Sequence, residues 1–172
     1  PMYRGINGID NINIKLQDIF NPKDNTTNEF LFDNASYRKG DKVLLTKNMN
    51  EFEISNGDIG IIEEISNDTT TVAVINFDGI IVEFTKKNFE NIKLGYAISI
   101  HKSQGSEFDV VIIPLDIDYG RMLYRKLVYT GVTRAKKNLF LVGETVALKY
   151  AIETVKEDER KTLLRNLIIN NF

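Results

Sequence analysis

The 172-residue sequence contains no cysteine and a single histidine, His101. Disulfides, thiol catalysis and cysteine-ligated zinc are therefore excluded, and a histidine-rich metal site is not expected. No apolar run approaches the ~20 residues that a bilayer-spanning helix needs. Strong charge of one sign is absent too. The formal net charge is −2, so any contact with nucleic acid must run through local basic groups on a nearly neutral body. The opening residues 1–5 lack signal-peptide organisation, and the chain starts at Pro1 rather than methionine. We expect a piece of a longer cytoplasmic protein. The pattern Gly-x-x-x-x-Gly-Lys-Ser/Thr occurs nowhere. Without that phosphate-binding loop, this stretch is not expected to bind and hydrolyse ATP unaided.

What is present suits a packed α/β body. Hydrophobic residues make up 42% of the chain, enough for a core. Ile12, Ile14, Leu16, Ile19 and Phe20 predict a short helix over 10–20 that stops before Asn21-Pro22, because proline disfavours helix in the residue before it. A polar connection follows over 21–28. Residues 37–92 read differently, as four or five short strands split by turn signals, among them Asn56-Gly57-Asp58 and the hairpin signal Asp78-Gly79. This pattern predicts a small barrel of SH3-like size inserted into the α/β layer. After Leu94 the α/β style returns. We expect strands over 96–100 and 110–115, a helix over 122–133, and a strand over 138–142 ended by Gly143. A helix capped by Thr145 should run to about 154, with a last amphipathic helix over 160–169.

Three stretches can carry chemistry. The first is the polar patch 99–107 between two apolar runs. It reads either as a plain loop at a strand end or as a polyanion site. In the second case Ser99, His101, Lys102 and Ser103 supply hydrogen bonds, Gly105 lets backbone N–H groups approach, and Glu107 accepts from a sugar hydroxyl. The second stretch is 129–137, where Arg134 either complements the dipole of a helix C-terminus or acts as an arginine finger on a phosphoryl group. The third is Arg4-Gly5, a solvated loop charge or a reach toward phosphate. The charge run 153–161 reads as a solvated helix face, and Phe84, Phe89 and Tyr96 as core.

Taken together, these stretches resemble the C-terminal half of superfamily 1 DNA helicases, in the RecD-like branch (the exodeoxyribonuclease V alpha-subunit family). ISIHKSQGSEF at 98–108 looks like helicase motif V, LVYTGVTRA at 127–135 like motif VI, and residues 1–22, opening PMYRGINGID and closing with FNP, like the motif IV region. The turn at 56–60 is similar to that of the family's inserted barrel. Where family members often carry threonine this chain has Ser99, and the hydroxyl is kept. The segment 123–126 departs from the usual Gln-Arg-Asn lead into motif VI.

The resemblance implies a RecA-like (P-loop-NTPase-type) second motor domain made of residues 1–36 and 93–172, with a small SH3-like β-barrel inserted at 37–92. It implies ATP and Mg²⁺ held mainly by an N-terminal motor domain of the same parent chain. Arg134 would reach the γ-phosphate, and Gly105, Glu107 and Arg4 would lie on the nucleotide side. Ser99, His101, Lys102 and Ser103 would face single-stranded DNA. The implied activity is that of an ATP-dependent helicase moving 5′ to 3′, possible partners are other subunits of a repair or recombination complex, and the fragment alone should be inactive. A non-enzymatic nucleic-acid- or protein-binding module with a helicase-like shape is the competing reading.

Overall fold

The computed structural model describes residues 5, 7–24, 28–66 and 70–155. Arg4 and the helix expected over 160–169 lie outside the described residues.

Helix α1 spans Ile9–Phe20 and stops at Asn21, as the following proline predicts. Its buried stripe is not the apolar set that the sequence suggests. Ile9, Asn13 and Gln17, each four residues apart, face inward, while Ile19 and Phe20 are about seven-tenths exposed. The helix is seated by hydrogen bonds. Asn13 pairs both ways with the backbone of Ala97, its Nδ2 donating to the carbonyl at 2.9 Å and its Oδ1 accepting from the N–H at 2.8 Å.

A hairpin follows that the sequence reading did not foresee: β1 (Glu29–Phe32) and β2 (Ala35–Arg38), antiparallel. Its two-residue turn, Asp33-Asn34, has both φ angles positive. That geometry suits a right-twisted hairpin, and short polar side chains tolerate it.

The central sheet contains β3 (Lys42–Leu45), β4 (Ile59–Ile65), β5 (Ala73–Phe77), β6 (Ile80–Phe84) and β7 (Ile92–Leu94). Its order is β6-β5-β4-β3-β7, antiparallel throughout. Asp78-Gly79 forms the expected β5–β6 turn with positive φ at both residues. The barrel expected here is not closed, because β6 and β7 do not pair. Aromatic packing takes the place of that pairing. Phe89, on the 3-10 turn Asn88–Asn91 between these two strands, is fully buried. Phe30, Phe32, Tyr37 and Phe84 surround it with ring centroids 4.9–6.3 Å away. The β1–β2 hairpin thus packs Phe30, Phe32 and Tyr37 onto this ring in the core. Phe84, Leu45, Ile54, Ile62, Ile75 and Ile92 complete that core, each worth ~1.5–3 kcal/mol of burial.

The second layer is parallel. Strand β8 (Phe108–Leu115) pairs with β9 (Ala135–Gly143). The crossover between them holds the 3-10 turn Ile117–Met122 and helix α2 (Arg125–Val132), and α3 (Thr145–Glu153) follows. The α2 helix starts three residues later than its periodicity suggests, because the 3-10 turn absorbs Met122. Thr145 is the first residue of α3 rather than its cap, and Glu144 at the cap position makes no side-chain capping bond. Ile113, Leu115, Tyr119, Leu123, Ala147 and Ala151 form this layer's core. The opposite face of the two strands carries Val110, Ile112, Phe140 and Val142, all more than half exposed.

The strand expected over 96–100 does not form. After Gly95 donates to the Lys42 carbonyl at 2.7 Å, the chain leaves the sheet. The Asn13 amide then satisfies Ala97, and a helical turn already begins at Ser99, whose carbonyl accepts from the Lys102 N–H at 2.9 Å. No described helix is long and apolar enough to cross a membrane.

Candidate functional site

The polar loop 99–107 joins the two layers, and a different element holds it at each of three points. On its leading side, Tyr96 donates its hydroxyl to Asp41 Oδ1 at 2.9 Å. Burial, reinforced by the Asp41 charge, pushes the Tyr96 hydroxyl up to about 12. Asp41 is fully buried. It also accepts from the Arg38 N–H at 2.7 Å, from Asn21 Nδ2 at 2.7 Å and from Gln17 Nε2. One carboxylate thus ties α1, β2, β3 and the loop entrance together.

In the middle of the loop, Lys102 Nζ donates to Asn56 Oδ1 at the tip of the β3–β4 connection. The adjoining Gly57 has φ +107°, and a Cβ on it would lie 3.5 Å from the Lys102 carbonyl oxygen. Backbone geometry thus favours glycine at this point of contact. On the trailing side, Arg134 Nη1 donates to the Ser106 carbonyl at 3.1 Å, and the Phe108 N–H donates to the Arg134 carbonyl at 2.9 Å. Arg134 Nε also donates to the Thr130 carbonyl at 3.2 Å, and Nη2 to Thr133 Oγ1 at 3.2 Å. The guanidinium therefore does satisfy an α2 carbonyl, as a helix-end cation should, but it also grips the loop. Gly131 allows this seating. A Cβ there would meet Ile100 Cδ1 and Ile113 Cδ1, each at 3.0 Å.

The sequence-predicted residues divide by exposure. His101, Gly105 and Glu107 are exposed, and Ser99, Lys102 and Arg134 are half-buried. Gly105 has φ +87° with nothing around its Cβ position. Glu107 lies 3.4 Å from Lys136 Nζ, an exposed ion pair worth under about 1 kcal/mol. Ser103 points inward. It is buried, and its Oγ donates to the Ile100 carbonyl at 2.8 Å, closing the turn. Ser99 Oγ accepts from the Lys102 N–H at 3.4 Å. Ser99 also lines a cavity of about 530 Å³ between α1, the β1–β2 turn and β7. Ser106 lines an open cleft of about 930 Å³ against the central sheet, shared with Gly57, Asp58 and Asp78.

The sequence reading missed Asn56 as the partner of Lys102, Thr130 as a partner of Arg134, and Asn13 as the partner of Ala97 ahead of the loop. Asn56 lies within a turn recognisable from its Asn-Gly-Asp composition, but its contact spans 46 positions. Among the described residues no group of three or more His, Cys, Asp or Glu could hold a metal ion.

Residues 94–142, which contain the loop and Arg134, match the UvrD-like helicase C-terminal domain. Residues 12–77 match the ATP-dependent RecD-like DNA helicase SH3 domain. The chain is 36% identical to the ATP-dependent RecD2 DNA helicase of Deinococcus radiodurans over 97% of its own length and 22% of that protein's. It is 33% identical to the RecBCD enzyme subunit RecD of Mycolicibacterium smegmatis over 94% of its own length and 27% of the relative's. The chain thus spans about a quarter of the curated relatives it matches. In fold it is similar to Bacteroides Pif1 bound to ssDNA, with TM-score 0.58, 17% identity, and coverage of 93% of this chain and 44% of that one. With both domain matches in chain order and both relatives aligned over nearly its whole length, the chain belongs to the RecD-like family of superfamily 1 DNA helicases.

Proposed function

We propose that this chain is the second motor domain of an ATP-dependent DNA helicase, passing changes at a nucleotide site to a grip on single-stranded DNA. In this reading residues 1–36 and 93–172 form the RecA-like motor layer, and 37–92 form the SH3-like insert. Arg134 reaches the γ-phosphate from this side of the cleft, and Gly105, Glu107 and Arg4 are assigned to nucleotide binding. Ser99, His101, Lys102 and Ser103 belong to the DNA side, where the inward Oγ of Ser103 shapes the turn. A guanidinium has five N–H donors, and the bonds to the Thr130, Ser106 and Thr133 oxygens use three of them, which leaves two for a phosphate oxygen. Bound ATP supplies the phosphoryl transfer that drives the cycle, and its Mg²⁺ is held mainly by the N-terminal motor domain.

The supporting observation is the direct bond between the two chemistry-bearing stretches, Arg134 Nη1 to the Ser106 carbonyl at 3.1 Å. An arginine that shifts toward phosphate must stretch or release that bond. The loop then changes with it, a two-state change biased by phosphate contacts. The same reading includes 5′ to 3′ travel, a cytoplasmic location where DNA is handled, and possible partner subunits of a repair or recombination complex. The test is Arg134→Ala in the full polypeptide. DNA-stimulated ATP hydrolysis should fall by about 10³–10⁵, with the circular dichroism spectrum unchanged. Hydrolysis at the unmodified rate would remove Arg134 from the mechanism.

A further inference from the structure

The connection between β3 and β4 does more than close a turn. Its tip, Asn56-Gly57, rests on the polar loop, with the Asn56 carboxamide oxygen on the Lys102 ammonium and Gly57 against the Lys102 carbonyl. The turn is braced independently of the Asn56 side chain. The Asn56 N–H donates to Asn48 Oδ1 at 2.7 Å, the Ser55 N–H to Asp58 Oδ2 at 2.7 Å, and the Gly57 N–H to the Leu45 carbonyl at 2.9 Å. An acceptor on a braced turn is thus held out from the central sheet to meet a flexible lysine.

An ammonium has three donors. The Asn56 contact uses one and leaves the others for a second acceptor. A lysine on four rotatable bonds loses side-chain freedom when it binds phosphate. A lysine already held by a braced turn has given up part of that freedom beforehand. We propose that Asn56 is a positioning residue that aims the Lys102 ammonium at a phosphate of single-stranded DNA, making the central sheet part of the grip. This rests on the reading of Lys102 as a DNA contact. It adds that the lysine works as a pair with a residue of the inserted sheet.

The test is single-strand binding by the full polypeptide, using an oligothymidylate probe across a salt series, for Asn56→Ala, Lys102→Ala and the double variant. Lys102→Ala should lower the slope of log K against log salt by about 0.7, the loss of one single-strand phosphate contact. Asn56→Ala should weaken binding by about three- to tenfold, a part of one lysine's rotamer freedom, and leave the slope unchanged. The double variant should bind no worse than Lys102→Ala alone. In DNA-stimulated ATP hydrolysis, Asn56→Ala should raise the half-saturating DNA concentration without lowering the plateau. If Lys102→Ala weakens binding while Asn56→Ala does not, the positioning role is overturned and the DNA contact stands. An equal loss from Asn56→Ala with and without Lys102 also overturns it, since the asparagine would then act elsewhere. Lys102→Ala without effect on affinity or slope overturns both.

Discussion

Replacing Asp41 with alanine should cost a large part of the stability of this chain. The carboxylate is fully buried and receives four hydrogen bonds. Not all four donors are stranded by its loss. The Gln17 amide keeps the Ser36 carbonyl at 2.9 Å, and the Asn21 amide keeps the Lys39 carbonyl at 3.0 Å. The Arg38 N–H and the Tyr96 hydroxyl lose the acceptor that Asp41 gave them. At ~1–3 kcal/mol for each stranded donor, Asp41→Ala should cost about 2–6 kcal/mol, against ~5–15 kcal/mol for a typical domain. Tyr96→Phe removes one donor and leaves the carboxylate three, so it should cost only about 1 kcal/mol. The two changes share a partner, and the double variant should be less destabilised than their sum by ~0.5–3 kcal/mol. Urea unfolding followed by circular dichroism measures all three. A cost below about 1 kcal/mol for Asp41→Ala, or strict additivity, would refute the view of Asp41 as the hub joining α1, β2 and the loop entrance.

Two further outcomes follow from the packing and the charges. Phe89→Ala should destabilise by ~3–5 kcal/mol in the same assay, because the ring is fully buried and touched by aromatic neighbours from both the hairpin and the sheet. The Glu29 carboxyl is lowered from 4.5 to about 2, chiefly by its hydrogen bond from Lys23 and, against the opposing effect of burial, by Arg38 Nε at 2.7 Å. A depressed carboxyl stabilises the fold above its unfolded value. That contribution should therefore be present above about pH 4.5 and lost as pH falls toward about 2. Glu29→Gln should flatten this part of the acid limb in thermal melts, and an unchanged limb would show that the pairing contributes nothing.

The parts of the fold legible in the sequence are those governed by local chemistry. Asp78-Gly79 has a turn geometry that few residue pairs tolerate, and the strands around it followed. The end of α1 followed from Pro22. The inward face of α1 did not, because Asn13 and Gln17 are buried by satisfying backbone and carboxylate groups of distant segments, and no periodicity of apolar residues reports that. The same cause misled the reading of 96–100. Alternating apolar residues suggested a strand, but the neighbour that pairs with Ala97 is a side chain. The barrel is open between β6 and β7, and the contacts of Phe89 with the β1–β2 hairpin are set by tertiary approach, although Asp33-Asn34 is a local signal for the hairpin itself. In the candidate site, residue types and order pointed to Lys102 and Arg134. Their partners, Asn56 and the Ser106 carbonyl, are set by tertiary approach and leave no local trace.

The amide clasp between Asn13 and Ala97 has a mechanical consequence. A β-ladder resists sliding because every rung must break together. Here the lead-in to the polar loop is fastened to α1 at one residue by two hydrogen bonds, each worth ~0.5–1.5 kcal/mol net. Such a fastening can open and re-close for about 1–3 kcal/mol while every strand of the central sheet stays paired. The lead-in at Ala97 is thus mounted on a catch rather than a weld, and that one point can be released without unfolding the body that carries it.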